Sequence, residues 1–259
     1  MIPYFEVHSF TDRIFHGNPA GVCLLEMWLE DDLMAAIAAE NNLSETAFVV
    51  PIGNRYELRW FTPSVEVDLC GHATLATAYV LYEHLTYQDS AIIFDTKSGE
   101  LAAWRDEDFF VMDFPSRPAL STDIPKHLTD GLRREVESVF KARDYLVVFD
   151  SEEEVRNLDP DFSSLEKIDC EGIIVTAPGD EVDFVSRFFA PRMGILEDPV
   201  TGAAHSTLTP FWTERLGENP LRARQISERG GDLWCKQMDD RVYIAGRAAL
   251  YAKGFLNVE

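Results

Sequence analysis

The sequence predicts an α+β fold of two pseudo-symmetric domains, each a mixed β-sheet or barrel wrapped around a central apolar helix. Three observations predict it. Short β-branched and aromatic runs recur along the chain, helices that are apolar on nearly every side are few, and the second half repeats the first in order. ETAFVVP at 45–51, YELRWFTP at 56–63 and CGHATLATAYVLYEHL at 70–85 find partners in EGIIVTAP at 171–178, DFVSRFFAP at 183–191 and TGAAHSTLTPFWTERL at 201–216. Gly71 and Gly202 stand 131 positions apart (202 − 71), and the same offset pairs Leu85 with Leu216. Between the Phe-x-Pro and the glycine the second half is longer by three residues, 191 to 202 against 63 to 71. Strand order, helix order and glycine placement agree, which marks a duplication: a first repeat at 1–115, a second at 116–247, and a cleft between them.

The strands expected in the first repeat are YFEVHSF, GVCLL, TAFVV, YELRWF, AIIF and FFVMDF, and in the second DYLVVF, GIIVTA, DFVSRFF and RVYIAG. Three helices stand among them. LEDDLMAAIAAEN at 29–41 sets Leu29, Leu33, Ala36 and Ile37 on one face, HATLATAYVLYEHL begins at His72, and AAHSTLTPFWTERL begins at Ala203. A fourth, amphipathic and charged, is expected over PKHLTDGLRREVESVFKA at 125–142, where the chain starts its second repeat. ATLATAYVLY is apolar almost all round, as a helix enclosed by a sheet must be. In each half a glycine opens such a helix, and free N–H groups at a helix start, approached closely over glycine, favour an anion. Two such starts facing one cleft would hold a carboxylate.

Composition narrows the partners. At 259 residues, with 46% hydrophobic and 12% aromatic side chains, the chain can fill sizeable cores. Its 45 acidic against 23 basic residues give a net charge of −22, which repels phosphate backbones and anionic membranes, so no nucleic-acid or membrane partner is expected. The start MIPYFEVHSF lacks a signal-peptide pattern and no apolar run is long enough to span a bilayer, so a cytoplasmic setting is expected. Cys23, Cys70, Cys170 and Cys235 lie far apart, which suits reduced thiols better than disulfides or a structural zinc.

Three side chains carry candidate chemistry. Glu45 lies in the short connection NLSET between a helix and an apolar strand, where it is either a partly desolvated general acid and base or a solvated turn residue. His72 either donates to backbone at its helix start or faces a substrate carboxylate. Asp198, before Pro199, either closes a turn or positions a substrate amine or an imidazole. Cys70, His72, Asp198 and His205 are a possible zinc set, but only the first two are near in sequence and Cys-x-His is not a usual ligand spacing, so no metal is expected.

The stretches FTDRIFHGNPAGV, NNLSETAFV, RWFTPSVEVDLCGHATLATAYVL and EDPVTGAAHS together resemble the PhzF-like isomerases of phenazine biosynthesis, whose fold is similar to that of diaminopimelate epimerase. The resemblance spans the chain in order. It implies two domains with the active site in the interdomain cleft, a final strand at about 248–259 that returns to complete the first domain, and a homodimer. It also implies a carbon-to-carbon proton shift on a small carboxylated substrate without any cofactor. Glu45 would move the proton with His72 and Asp198 assisting, while the helix starts at Gly71 and Ala73, and at Gly202 and Ala203, receive substrate. Ala203 departs from the serine frequent in the family and removes a hydroxyl from the substrate site.

Two other functions fit the same scaffold. A racemase or epimerase with thiols on opposite faces of a carbon is opposed by the repeat, because Thr201 takes the place that pairs with Cys70. On that reading Cys70 is a remnant or a packed small side chain. A non-catalytic binder of small ligands is the third reading.

Overall fold

The structure, a computed structural model, describes residues 1–85 and 87–258. Thr86, within the expected first repeat, and Glu259, the end of the expected final strand, lie outside the described residues. The first half of the chain runs through β1 (Ile2–Ser9), β2 (Asn18–Leu24), α1 (Asp31–Asn41), β3 (Glu45–Ile52), β4 (Arg55–Phe61), β5 (Glu66–Val67), α2 (Gly71–His84), β6 (Ile92–Thr96), β7 (Gly99–Asp106) and β8 (Phe109–Pro115). The second half follows with β9 (Leu120–Thr122), α3 (Leu128–Leu132), β10 (Val139–Lys141), β11 (Tyr145–Val148), α4 (Glu152–Arg156), α5 (Phe162–Leu165), β12 (Ile173–Pro178), β13 (Phe184–Ala190), β14 (Ile195–Asp198), α6 (His205–Leu216), β15 (Leu221–Gln225), β16 (Gly231–Met238), β17 (Arg241–Gly246) and β18 (Ala248–Leu256). The chain divides into two compact units, Met1–Phe114 with Tyr243–Glu259, and Pro115–Val242.

Each unit is an α+β assembly with the same pairing scheme. In the first, β1–β2 is antiparallel, β2–β3 parallel, β3–β4 antiparallel, β4–β6 parallel and β6–β7 antiparallel, with β5 on β4. In the second, β10–β11, β11–β12, β12–β13, β13–β15 and β15–β16 follow the identical series of directions, with β14 on β13. The leading strand has an outer partner in both: β18 runs antiparallel to β1, and β9 antiparallel to β10. A fold duplication visible as sequence self-similarity thus reappears as a duplicated ladder.

The parallel steps need a crossover, and in each unit a buried helix supplies it between the fourth and sixth strands of the series. Ten residues of α2 are buried, and it packs against β1, β2, β3 and β7. Removing Leu75, Val80 and Leu81 from water contributes about 1.5–3 kcal/mol each. Its hydroxyls do not breach this burial, because Thr74 Oγ1 donates to the Cys70 carbonyl at 2.5 Å and Thr77 Oγ1 to the Ala73 carbonyl at 2.7 Å. In the second unit Trp212 of α6 stacks on Phe184 of β13 at 5.8 Å and donates to Thr176 Oγ1 of β12 at 3.0 Å.

Two expected helices differ from the observed ones. On α1 the buried residues are Met34, Ile37 and Ala38, with Leu33 half-buried and Ala36 exposed. The larger Met34 defines the i, i+3, i+4 seam in place of Ala36. The helix expected over 125–142 shrinks to the five residues of α3. Arg133 ends it in a left-handed conformation (φ 51°), and the β-branched and aromatic Val139 and Phe140 continue as β10. Gly131 lets α3 approach α5, since a Cβ there would stand 2.3 Å from Leu165 Cδ2. Among the described residues no helix is long and apolar enough to cross a membrane.

Candidate active site

In the first unit three elements converge on one imidazole. Asn18 opens β2 and Glu45 opens β3, strands paired in parallel with Ala20 opposite Glu45, and both side chains reach His72. Gly21, opposite Thr46, permits the close strand approach, because a Cβ would meet Thr46 Oγ1 and Tyr4 Cε2 at 3.1 Å. Asn41 Nδ2 donates to Thr46 Oγ1 at 3.1 Å and ties the end of α1 to the start of β3. Cys70 precedes α2 in extended conformation, and His72 sits in the first turn, its carbonyl held by Ser9 Oγ at 2.7 Å.

His72 is enclosed, with 3% of its surface exposed. The Asn18 amide lies 3.1 Å from Nδ1 and the Cys70 sulfur 3.6 Å from the same nitrogen. Nε2 stands 3.1 Å from Glu45 Oε2. That separation is an ion-pair distance, and each atom is buried with no further hydrogen-bond partner among the described residues. The Asn18 terminal group thus lies against Nδ1, and Nε2 faces the carboxylate. Burial works against charge on His72, yet Cys70 and Glu45 more than offset it and hold the imidazole well above its ordinary value. Burial, with Glu45 adding to it, pushes the Cys70 thiol up.

The α2 start lacks a side-chain oxygen cap. Its Ala73 N–H is directed at Cys70 Sγ, so the thiol takes the weak acceptor role that serine fills at many helix starts. Gly71 and Ala73 are buried beside it.

In the second unit Asp198 ends β14 with 8% of its surface exposed. Thr201 Oγ1 donates to Asp198 Oδ2, and Gln225 braces the turn by donating from Nε2 to the Asp198 carbonyl at 2.7 Å while its Oε1 accepts the Thr201 N–H at 2.8 Å. Ser227 Oγ holds the Pro199 carbonyl at 2.7 Å. Gly202 and Ala203 open the helix in a short 3-10 turn ahead of α6. His205 Nδ1 donates to the Thr201 carbonyl at 2.9 Å, the counterpart, at the same 131-residue offset, of Thr74 on Cys70. Burial holds this imidazole down to about 4, so it is neutral.

Glu45, His72, Gly71 and Ala73 therefore form one group, and Asp198, Gly202 and Ala203 another. Of the four donors weighed as a zinc set, His205 is spent on a carbonyl and Asp198 on a hydroxyl. The donors that cluster are Glu45, Cys70 and His72, whose ligating atoms all lie within 4.8 Å of one another. Sequence reasoning missed Asn18 and Gln225. Asn18 stands in GNPAG, which reads as a turn, and nothing local distinguishes Gln225.

The fold and these groups define the class: an α+β protein of duplicated sheet-and-helix units with a carboxylate–imidazole pair at a buried helix start. A solved proline racemase (probable) from Agrobacterium radiobacter, 9% identical, shares the fold with a TM-score of 0.69 over 100% of this chain and 94% of that one. The family model for phenazine biosynthesis-like proteins matches residues 7–254, and the chain belongs to that family. An uncharacterized isomerase of Pseudomonas aeruginosa is 50% identical over 254 residues, 98% of each chain. A crystal structure of a PhzF-family phenazine biosynthesis protein from Enterococcus faecalis is 46% identical, with a TM-score of 0.96 over 99% of both chains.

Proposed function

We propose that this protein is a cofactor-independent isomerase that shifts a proton between two carbons of a small carboxylated substrate, with Glu45 as general acid and base. Membership of a family with relatives named isomerases supports the class of reaction. The observation that carries the assignment of the base is the Glu45 Oε2–His72 Nε2 pair, 3.1 Å apart and buried at the start of α2, with no further hydrogen-bond partner among the described residues.

The chemistry follows from these groups. Glu45 takes a proton from one substrate carbon, and the electron pair spreads through the adjacent unsaturated system toward the substrate carboxylate. The N–H groups at the helix starts of Gly71, Gly202 and Ala203 stabilise that charge, and Glu45 returns the proton to a second carbon. His72 lies against the carboxylate and orients it. Asp198 and the second helix start are taken to hold the substrate as well, as the family resemblance implies. The assembly is likewise taken to be a homodimer, as the family resemblance implies, and its setting to be the cytoplasm, as the sequence pattern suggests. The absence of a hydroxyl at Ala203 leaves backbone alone at that position, which favours a substrate different from that of serine-bearing relatives. A two-thiol racemase is disfavoured because the hydroxyl of Thr201 is given to Asp198.

Cyclic or amino-bearing carboxylates incubated with the protein in deuterated water test the proposal. Deuterium is expected at carbon, and Glu45→Gln is expected to slow its incorporation about 10²–10⁴-fold, the usual span for a positioned acid–base, with ligand affinity nearly unchanged. Undiminished exchange in Glu45→Gln overturns the assignment, and binding without exchange in the wild type identifies a binder.

A further inference from the structure

The geometry points to Glu45, Cys70 and His72 as an inhibitory site for a thiophilic divalent cation such as zinc. One carboxylate oxygen, one sulfur and one ring nitrogen lie within 4.8 Å of one another. Zinc binds these donors at about 2.0–2.3 Å, which sets its ligand atoms roughly 3–4 Å apart. The 3.1 Å between Glu45 Oε2 and His72 Nε2 already matches that spacing. These two atoms face each other with no further hydrogen-bond partner among the described residues, and His72 is more than nine-tenths buried. A cation between them satisfies both.

The surroundings suit a ligated histidine. Metal-bound imidazoles keep their second N–H on an oxygen acceptor, and the side chain within 3.1 Å of Nδ1 is an amide, Asn18, which presents a carbonyl when its terminal group is turned over. Cys70 Sγ, now 3.6 Å from Nδ1, reaches the ion by side-chain rotation. Charge balances as well: a dication with one thiolate, one carboxylate and a neutral imidazole is neutral, which a buried site requires. Binding breaks the S–H bond of Cys70 and the Nε2–H bond of His72, forms a metal–sulfur and a metal–nitrogen bond, and releases both protons to solvent, while Nδ1 keeps its own. The thiolate selects borderline and soft ions over magnesium or calcium. Glu45 is the partly exposed member, with 12% of its side chain accessible, and it gives the ion its entry. The inhibitory consequence rests on Glu45 being the acid and base; the binding does not.

Cobalt(II) makes the site visible through thiolate-to-metal charge transfer. The reduced, chelator-treated full-length protein is titrated with Co²⁺, then with Zn²⁺ in the presence of excess Mg²⁺. One equivalent of near-ultraviolet band is expected, displaced by Zn²⁺ and untouched by Mg²⁺. Cys70→Ala is expected to abolish the band, and Glu45→Gln to weaken Co²⁺ binding by more than about tenfold, the least that loss of supporting ligation costs. Cys170→Ala, which removes the half-buried thiol near Asp144 and Asp169, is expected to leave it unchanged. No band in the folded wild type, a band surviving in Cys70→Ala, or one lost in Cys170→Ala overturns the site. A band that behaves as expected while Zn²⁺ leaves deuterium exchange intact upholds the site and counts against Glu45 as the base.

Discussion

Asn18 shows how a residue with no chemistry of its own governs one that has it. Its side chain is fully enclosed, and its amide is the polar group nearest His72 Nδ1. A hydrogen bond there fixes the ring orientation, so that Nε2 faces Glu45. Asn18→Leu keeps the volume and removes the bond. Leaving a buried imidazole nitrogen without its partner costs about 1–3 kcal/mol, so the melting temperature is expected to fall by several degrees. The exchange rate in deuterated water is expected to drop roughly 10–100-fold, about 1.4–2.7 kcal/mol of barrier, with ligand affinity within about threefold. An unchanged rate per folded molecule would show that His72 needs no such orientation. Glu45 and His72 were singled out in the sequence through the family resemblance, since local pattern left a turn glutamate and a helix-start histidine equally open. Asn18 was not, since an asparagine before proline satisfies a turn equally well.

Among the elements, the two buried helix starts solve one problem with different side chains. Each leaves a carbonyl at the residue before the glycine, and each returns a donor four positions later: the hydroxyl of Thr74 in α2, the imidazole of His205 in α6. The second solution makes α6 sensitive to acid. His205 titrates at about 4 in the folded protein against an ordinary value of about 6.5, so between those values the unfolded chain binds the extra proton. Stability from this group is thus complete above pH 6.5 and is lost as pH falls toward 4, by about 3 kcal/mol. Urea unfolding of the second unit, followed through Trp212, is expected to show this decline. His205→Gln, which can still donate to the Thr201 carbonyl, is expected to flatten it, and an equal slope in both proteins would remove His205 as the cause. The expected fourth helix failed at the same scale. Its apolar spacing suited a helix, yet Arg133 turns left-handed and Val139 and Phe140 pair in β10, a tertiary preference that local periodicity does not carry.

For the molecule as a whole, duplication made most of the architecture readable, because two weak signals at one offset reinforce each other. The path of the chain between the halves was less accessible, since it depends on pairings between residues far apart. Eight registered pairs join β1 to β18, from Ile2↔Leu256 to Ser9↔Ala248, so the last strand of the chain covers the first. Leu256 and Val258 also pack on the cluster of Met34, Ile37, Phe48 and Phe61. Truncation after Arg247 leaves β1 without this partner and opens the apolar cluster to water. The first unit is then expected to lose its protection while the second, whose β10 is paired by β9 from within Pro115–Val242, keeps its own. Amide hydrogen exchange with peptide-level resolution distinguishes the outcomes: fast exchange confined to 1–114 with slow exchange retained in β12, β13 and α6 supports the scheme. Loss of protection in both units together would mean that they fold as one cooperative body. Retention in both would mean that β18 is dispensable to the first sheet.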